Sequence, residues 1–366
     1  MKSVNVKSSI DQILKMRLAN QRLAGEPFAH PAQAVAWLGA AQAQDYAAAR
    51  WALALRCNDL TEADIDRAFD AGDILRTHML RPTWHFVAPQ DLRWMQALTS
   101  HHVQAANASI YRRRSFDAAT FRRSRAVIEK ALSGGKQLTR TELAAELQRA
   151  GIVTGDNLHV IYMLMDAELE GVVCSGARVG KQHTYALLDE RVPAGRRLER
   201  DEALVELARR YFTSHGPATA KDFSRWSGLA AAETKKGLEM LGDALEHVEV
   251  EGQTYWFAPG SAAAGVALPR VLLLTVYDEY VIGYGDHEDL FDEAHLDKLD
   301  ARGSFMAQYT ILVNGRVAGT WKRTLKKDSV LIETSPFEPL SAADQAAVGE
   351  AAEGYAAFIG KAAVLA

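Results

Sequence analysis

Two glutamines one residue apart, Gln42 and Gln44, stand in the stretch AAQAQDYAAARWALA from Ala40 to Ala54. The flanking alanines favour helix, and on a helix positions i and i+2 do not share a face. In an extended segment they do, because side chains there alternate with a period of two. The pair can act together only if the chain leaves the helix at Ala41 and presents both amides to one space. A glutamine takes up no proton at neutral pH, but its carbonyl accepts and its NH2 donates hydrogen bonds. Two amides facing one cavity can therefore hold and orient one water molecule. The alternative is a pair of ordinary polar residues at a helix end.

The elements that must position this pair are read from periodicity and caps. Ser8 or Ser9 caps a helix carrying Ile10, Ile13, Leu14 and Leu18, and Pro31 opens a second helix that runs into the glutamine stretch. A further helix follows Asp45. Thr61-Glu62-Ala63-Asp64 reads as a capping box, and Ile74 to Val87 as two strands around Arg81-Pro82. Helices followed by a hairpin outline a winged helix. The outline returns from Phe116 to Leu188 and from Asp201 to Ala258, and the cap residues Thr139 and Thr219 lie 80 residues apart in equivalent places. From Pro269 the composition is strand-like, with turns at Asn314-Gly315 and Lys327-Asp328, and Ser341 caps a closing helix from Ala342 to Phe358. The expected architecture is α+β: about three tandem winged-helix motifs followed by a C-terminal β-barrel or curled sheet. The boundaries fall at 1–115, 116–192, 193–262 and 263–366.

Bulk properties narrow the class. The 366 residues are 48% hydrophobic and 24% charged, as in ordinary globular domains. No apolar run is long enough to span a membrane, and the N-terminus has no hydrophobic signal region. Cys57 and Cys174 form no motif with each other, which fits a reducing cytoplasm and no structural zinc. The net charge of −4 argues against coating nucleic acid non-specifically. A local basic surface remains open, and six arginines fall between Tyr111 and Arg125.

Four stretches carry a resemblance: VAWLGAAQAQDY at Val35 to Tyr46, LRPTWHFVAP at Leu80 to Pro89, YDEYVIGYGDH at Tyr277 to His287, and VNGRVAGTW at Val313 to Trp321. With them the chain resembles, over nearly its whole length, the bacterial winged-helix DNA-binding family that includes the AlkZ-type DNA glycosylases. The resemblance implies tandem winged helices with a β-barrel and excision of alkylated bases, in some members unhooking of interstrand crosslinks. It implies a catalytic Gln–hydrophobic–Gln motif, matched by Gln42-Ala43-Gln44; a related branch has Asp in place of the second Gln. The family's LRGT segment has Pro82 in place of its glycine here, which alters the turn before His85.

On this reading the enzyme is a monofunctional glycosylase for cationic purines, such as N7 or N3 adducts. Such a base already carries positive charge and leaves without an acid, so oriented water and a stabilised sugar cation suffice. Candidate DNA contacts are Arg81, Thr83 and His85 on the first hairpin, with His85 facing outward and Trp84 inward, and Arg112, Arg113, Arg114, Arg178, Lys181, Lys322 and Arg323. Asp45, Asp278, Glu279 and Tyr280 are candidate cavity-lining residues. Asp278-Glu279 with Asp286-His287 offers ligand types, but the spacing matches no standard metal site, and a hydrogen-bonded loop facing the DNA cavity is expected instead. No cofactor is expected. The expected partner is duplex DNA with alkylated bases, met by a cytoplasmic monomer. The alternative is a non-enzymatic winged-helix DNA-binding protein or regulator; a weaker third is an array for protein partners. A regulator needs basic recognition helices, whereas ELAAELQRA is neutral to acidic.

Overall fold

The computed structural model describes residues 2–3, 9–260, 265–285, 287–298 and 304–366. Asp286 lies outside the described residues. The chain divides into two compact units: Met1–Ile65, Val205–Trp226 and Ala230–Ala366 in one, Asp66–Leu204 and Ser227–Leu229 in the other.

The second unit contains one complete helical repeat. Helices Ala118–Leu132, Arg140–Arg149 and Asn157–Leu169 precede a hairpin of Val173–Ser175 and Thr184–Leu187. The short strand Leu138–Thr139 adds to the hairpin, pairing Leu138 with Tyr185. Thr139 then caps the middle helix: its backbone N–H donates to the Glu142 carboxylate at 2.7 Å, and Glu142 N–H donates back to Thr139 Oγ1 at 3.3 Å. Ile128, Leu132, Leu143, Leu147, Val160 and Leu164 close the core. A 25-residue helix, Pro89–Arg113, has no counterpart in the sequence reading. Gln96, Thr99 and Asn107 are buried on it and break its apolar stripe.

The first unit repeats the same grammar. Helix Arg200–Ser214 leads to Ala218, which pairs with Trp256 of the hairpin Glu246–Val250 and Gln253–Phe257. Thr219 then caps helix Ala220–Ser227: its N–H donates to Asp222 Oδ2 at 2.8 Å, and Asp222 N–H donates to Thr219 Oγ1 at 3.1 Å. The equivalence of Thr139 and Thr219 is thus physical as well as spaced.

Of the two expected forms, barrel or curled sheet, the C-terminal region is the curled sheet, open at its edges among the described residues. Its order is Val271–Leu274, Thr310–Val313, Arg316–Leu325, Ser329–Pro336, Ala362–Leu365. The first four strands are antiparallel, with Asn314-Gly315 in left-handed conformation at φ 51 and 84 forming the expected tight turn. The last strand is parallel to its neighbour, because helix Ala342–Phe358 carries the chain across, and the two outer strands do not pair among the described residues. Helix Ile10–Asn20 packs Leu14 and Leu18 against Leu274, Leu312 and Val317 of this sheet. It packs Ile13 and Met16 against Val248 and Tyr255.

One ion pair sits inside the first unit. Arg56 donates to both oxygens of Asp278, at 2.9 and 3.0 Å, and to Ala52 O at 2.7 Å and Gln21 Oε1 at 2.8 Å. Both side chains are 1% exposed or less. Removing one partner leaves the other charged and desolvated. Asp278→Ala should cost about 3–5 kcal/mol, read as a lowered midpoint in urea unfolding; an unchanged midpoint would show that the pair does not hold this core.

Candidate active site

The glutamine pair is made extended by a glycine. Helix Pro31–Leu38 ends before the expected Ala41, because Gly39 turns the chain at φ 82, a conformation that glycine adopts without strain. Ala40–Gln42 is then a strand. Ala41 and Ala43 are buried, Gln42 is half-buried, and Gln44, in a bend just past the strand, is exposed, the alternation an extended segment shows. Asp45 ends the segment. Its carboxylate accepts the Ala48 N–H at 3.0 Å and caps helix Tyr46–Ala54. Trp51 of that helix donates to Leu273 O at 2.8 Å and packs on Tyr355 at 5.2 Å between centroids.

Behind the strand lies a buried carboxylate. The Gln42 N–H donates to Glu279 Oε1 at 2.7 Å. Trp226 Nε1–H donates to Glu279 Oε2 at 3.0 Å, and His215 Nε2 lies 3.3 Å from the same oxygen. His215 Nδ1 lies 2.8 Å from Ser214 Oγ, whose hydroxyl donates to Arg210 O at 2.9 Å; a ring protonated at Nε2 donates to the carboxylate. Gln21 Nε2 donates to Glu279 O at 3.2 Å and to the Tyr284 hydroxyl at 3.0 Å, and that hydroxyl donates to His215 O at 2.9 Å. A Cβ on Gly283 would lie 2.8 Å from His215 Cδ2, so only glycine fits there. The hydrogen-bonded loop expected at Asp278-Glu279 is therefore present, facing inward.

The comparisons with known proteins meet this geometry. The AlkZ-like DNA glycosylase family model matches residues 35–358. This chain belongs to the AlkZ-like DNA glycosylase family. It is 26% identical over 336 residues to an interstrand DNA cross-link repair glycosylase of Streptomyces sahachiroi, covering 87% of this chain and 88% of that one. The solved structure of the Streptomyces sahachiroi DNA glycosylase AlkZ matches with a TM-score of 0.81 at 22% identity, over 99% of this chain and all of that one, a likeness of fold.

In this AlkZ-like chain the other expected site residues scatter into different environments. His85 is fully buried, opposite to the outward face expected, with Nδ1 2.9 Å from Thr83 O, while Trp84 is the half-exposed member of the pair. The hairpin turns on the single residue Leu80, at φ 59, and not around Arg81-Pro82. Leu80 is buried, so this tip is no free wing. Arg81 and Thr83 are half-buried; Arg112, Arg113, Lys181 and Lys322 are exposed. Arg114 is held by both oxygens of Asp156, at 2.9 and 3.0 Å. Arg178 lies between Asp66 at 3.0 Å and Asp70 at 3.1 Å. The Arg323 guanidinium stands 5.3 Å from the Tyr309 ring and 5.4 Å from the Tyr355 ring. Asp278 is committed to Arg56, and the Tyr280 hydroxyl donates to Gly315 O at 2.9 Å. Gln21, Arg56, His215 and Trp226 complete the network and were not singled out from sequence, because they come from elements far apart in the chain.

Burial pushes His215 below its ordinary value of 6.5, against the opposing hydrogen bond and charge of Glu279. In the window below 6.5 the unfolded chain holds a proton there that the folded chain does not. Stability from this group is therefore complete above that value and is lost as pH falls towards the folded one. The urea midpoint should drop between about pH 7 and about pH 5, and His215→Gln should flatten that slope. An equal slope in the variant would assign the loss to other groups.

Proposed function

We propose that this protein is a monofunctional DNA glycosylase that releases cationic alkylated purines, N7 or N3 adducts, by a water oriented between Gln42 and Gln44. The observation that supports the reading is the strand Ala40–Gln42, held from behind by Glu279, with an alternation of burial that runs on through Ala43 and Gln44. Neither amide is a base, and none is required for this class of substrate. When the bond between C1′ and the purine nitrogen breaks, its electrons neutralise the positive base. The water oxygen bonds to C1′ and its proton passes to solvent. Orientation of the reactants is worth roughly 7–11 kcal/mol at the limit. Release of crosslinked purines follows the same chemistry, and the relative from Streptomyces sahachiroi is named for cross-link repair.

The helical repeats are read here as tandem winged helices serving as scaffold for duplex DNA, in four modules with boundaries at 1–115, 116–192, 193–262 and 263–366. Arg112, Arg113, Lys181 and Lys322 are the exposed cations proposed to meet phosphate. The enzyme is proposed to act as a cytoplasmic monomer; among the described residues no helix is long and apolar enough to cross a membrane. A regulator would need the helix Asn157–Leu169 free for a major groove. Every residue of that helix from Met163 to Leu169 is buried, which favours the enzyme.

The test is base release from a duplex carrying one N7-methylguanine. The wild type should release free base, and Gln42→Ala/Gln44→Ala should lower the single-turnover rate roughly 100-fold at unchanged melting temperature. Melting that falls in step with the rate would make the pair a packing feature. An inactive wild type that still binds the duplex would bring the regulator forward.

A further inference from the structure

The third helical repeat presents its own polar side chains to the catalytic strand. His215 follows helix Arg200–Ser214, and Trp226 ends helix Ala220–Ser227. Both are fully buried, and both meet Glu279 Oε2, the oxygen that Gln42 does not use. The carboxylate is thereby prevented from rotating. Its other oxygen meets the Gln42 N–H at 2.7 Å, the short length of a charge-assisted bond. Gln21 holds the backbone of the same residue through Glu279 O.

We propose that Glu279 is a positioning residue: through Gln42 N–H it sets the height and tilt of the strand, and so the spacing between the Gln42 and Gln44 amides. This rests on the glycosylase reading above. Glu279 touches neither the base nor the water. It acts through the main chain, and the third repeat acts through it. The strand is three residues long, with a glycine before it and a helix cap after it, and the bond from Gln42 N–H to Glu279 holds its last residue.

Two double variants isolate the hydrogen bond from the charge. In Glu279→Gln/Trp226→Phe the amide carbonyl still accepts the Gln42 N–H. Its NH2 faces His215 Nε2, which accepts once the ring proton moves to Nδ1. In Glu279→Ala/Trp226→Phe no acceptor remains. Both variants lack the negative charge and the indole N–H. Full-length proteins are compared with Trp226→Phe for single-turnover release of N7-methylguanine, duplex affinity, and hydrogen exchange of the Gln42 amide. The glutamine variant should stay within about threefold of Trp226→Phe. The alanine variant should fall at least about tenfold in rate, with affinity unchanged within about twofold and the Gln42 amide exchanging freely. If the alanine variant does not melt cooperatively, Glu279→Leu/Trp226→Phe fills the volume without an acceptor. Equal rates in the two double variants, with an active wild type, overturn the positioning role alone. A wild type that releases no base overturns the glycosylase reading, and this inference falls with it for that separate reason.

Discussion

A carboxylate removed from water must find partners or lose its charge, and the first unit is arranged around that constraint. Taking such an ion into a protein interior costs roughly several kcal/mol even after relaxation. Glu279 is 2% exposed and is met by a backbone N–H, an indole N–H and an imidazole. Its neighbour Asp278 is completely buried and is met by both terminal nitrogens of Arg56. Arg17, 1% exposed, lies 3.2 Å from Asp289 and 3.9 Å above the Tyr284 ring. These groups are joined through Gln21 and Tyr284. A network in which each member satisfies another is costly to break in part, because any orphaned group keeps its full desolvation penalty. That cooperativity gives the strand Ala40–Gln42 a rigid backing that three residues of β structure cannot supply alone.

Local chemistry made much of the architecture legible. Ser9, Thr139, Thr219 and Ser341 each cap the helix expected of them, because a short hydroxyl side chain satisfies backbone donors within its own turn. Asn314-Gly315 was readable for a similar reason: few residues tolerate two consecutive left-handed positions. The extended backbone at Gln42 was legible as a departure from the helix, although its cause, Gly39, was not singled out. What escaped were features decided by distant groups. His85 and Trp84 alternate as expected, but alternation does not say which face is covered. Sheet closure depends on whether the outermost strands meet. Strand content could not show that helix Ala342–Phe358 delivers the last strand parallel to its neighbour.

Charge illustrates the same limit. A run of arginines reads as a DNA surface, yet Arg114, Arg125 and Arg178 are each bound to carboxylates. Those carboxylates, Asp156, Asp166, Asp66 and Asp70, lie 41 or more residues away from their arginines in sequence. Asp166 shows what the interior asks of them: burial pushes its carboxyl up to about 6 even with Arg125 opposing. A phosphate competing for Arg125 would have to leave that acid behind. Arg112, Arg113, Lys181 and Lys322 carry no such obligation in the hydrogen bonds and ion pairs described, so even neighbouring cations such as Arg113 and Arg114 divide into outward and internal roles.

The polar residues around Glu279 also show how a repeated fold supports the short strand that bears Gln42. Thr219 and Asp222 cap their helix as Thr139 and Glu142 do, so local folding of the two repeats obeys the same rule. Their outer chemistry differs. The repeat in the second unit surrounds its hairpin with aliphatic side chains, and its buried acid, Glu168, is bonded to His78. The repeat after Arg200 sends His215 and Trp226 to one oxygen of Glu279 instead. An indole and an imidazole are large enough to reach a carboxylate through the core, and each offers one directed donor with little rotational freedom. A lysine in their place would bring more charge and less direction. The repeat keeps the backbone grammar of a nucleic-acid-binding element while its buried side chains are committed to holding the strand that bears Gln42.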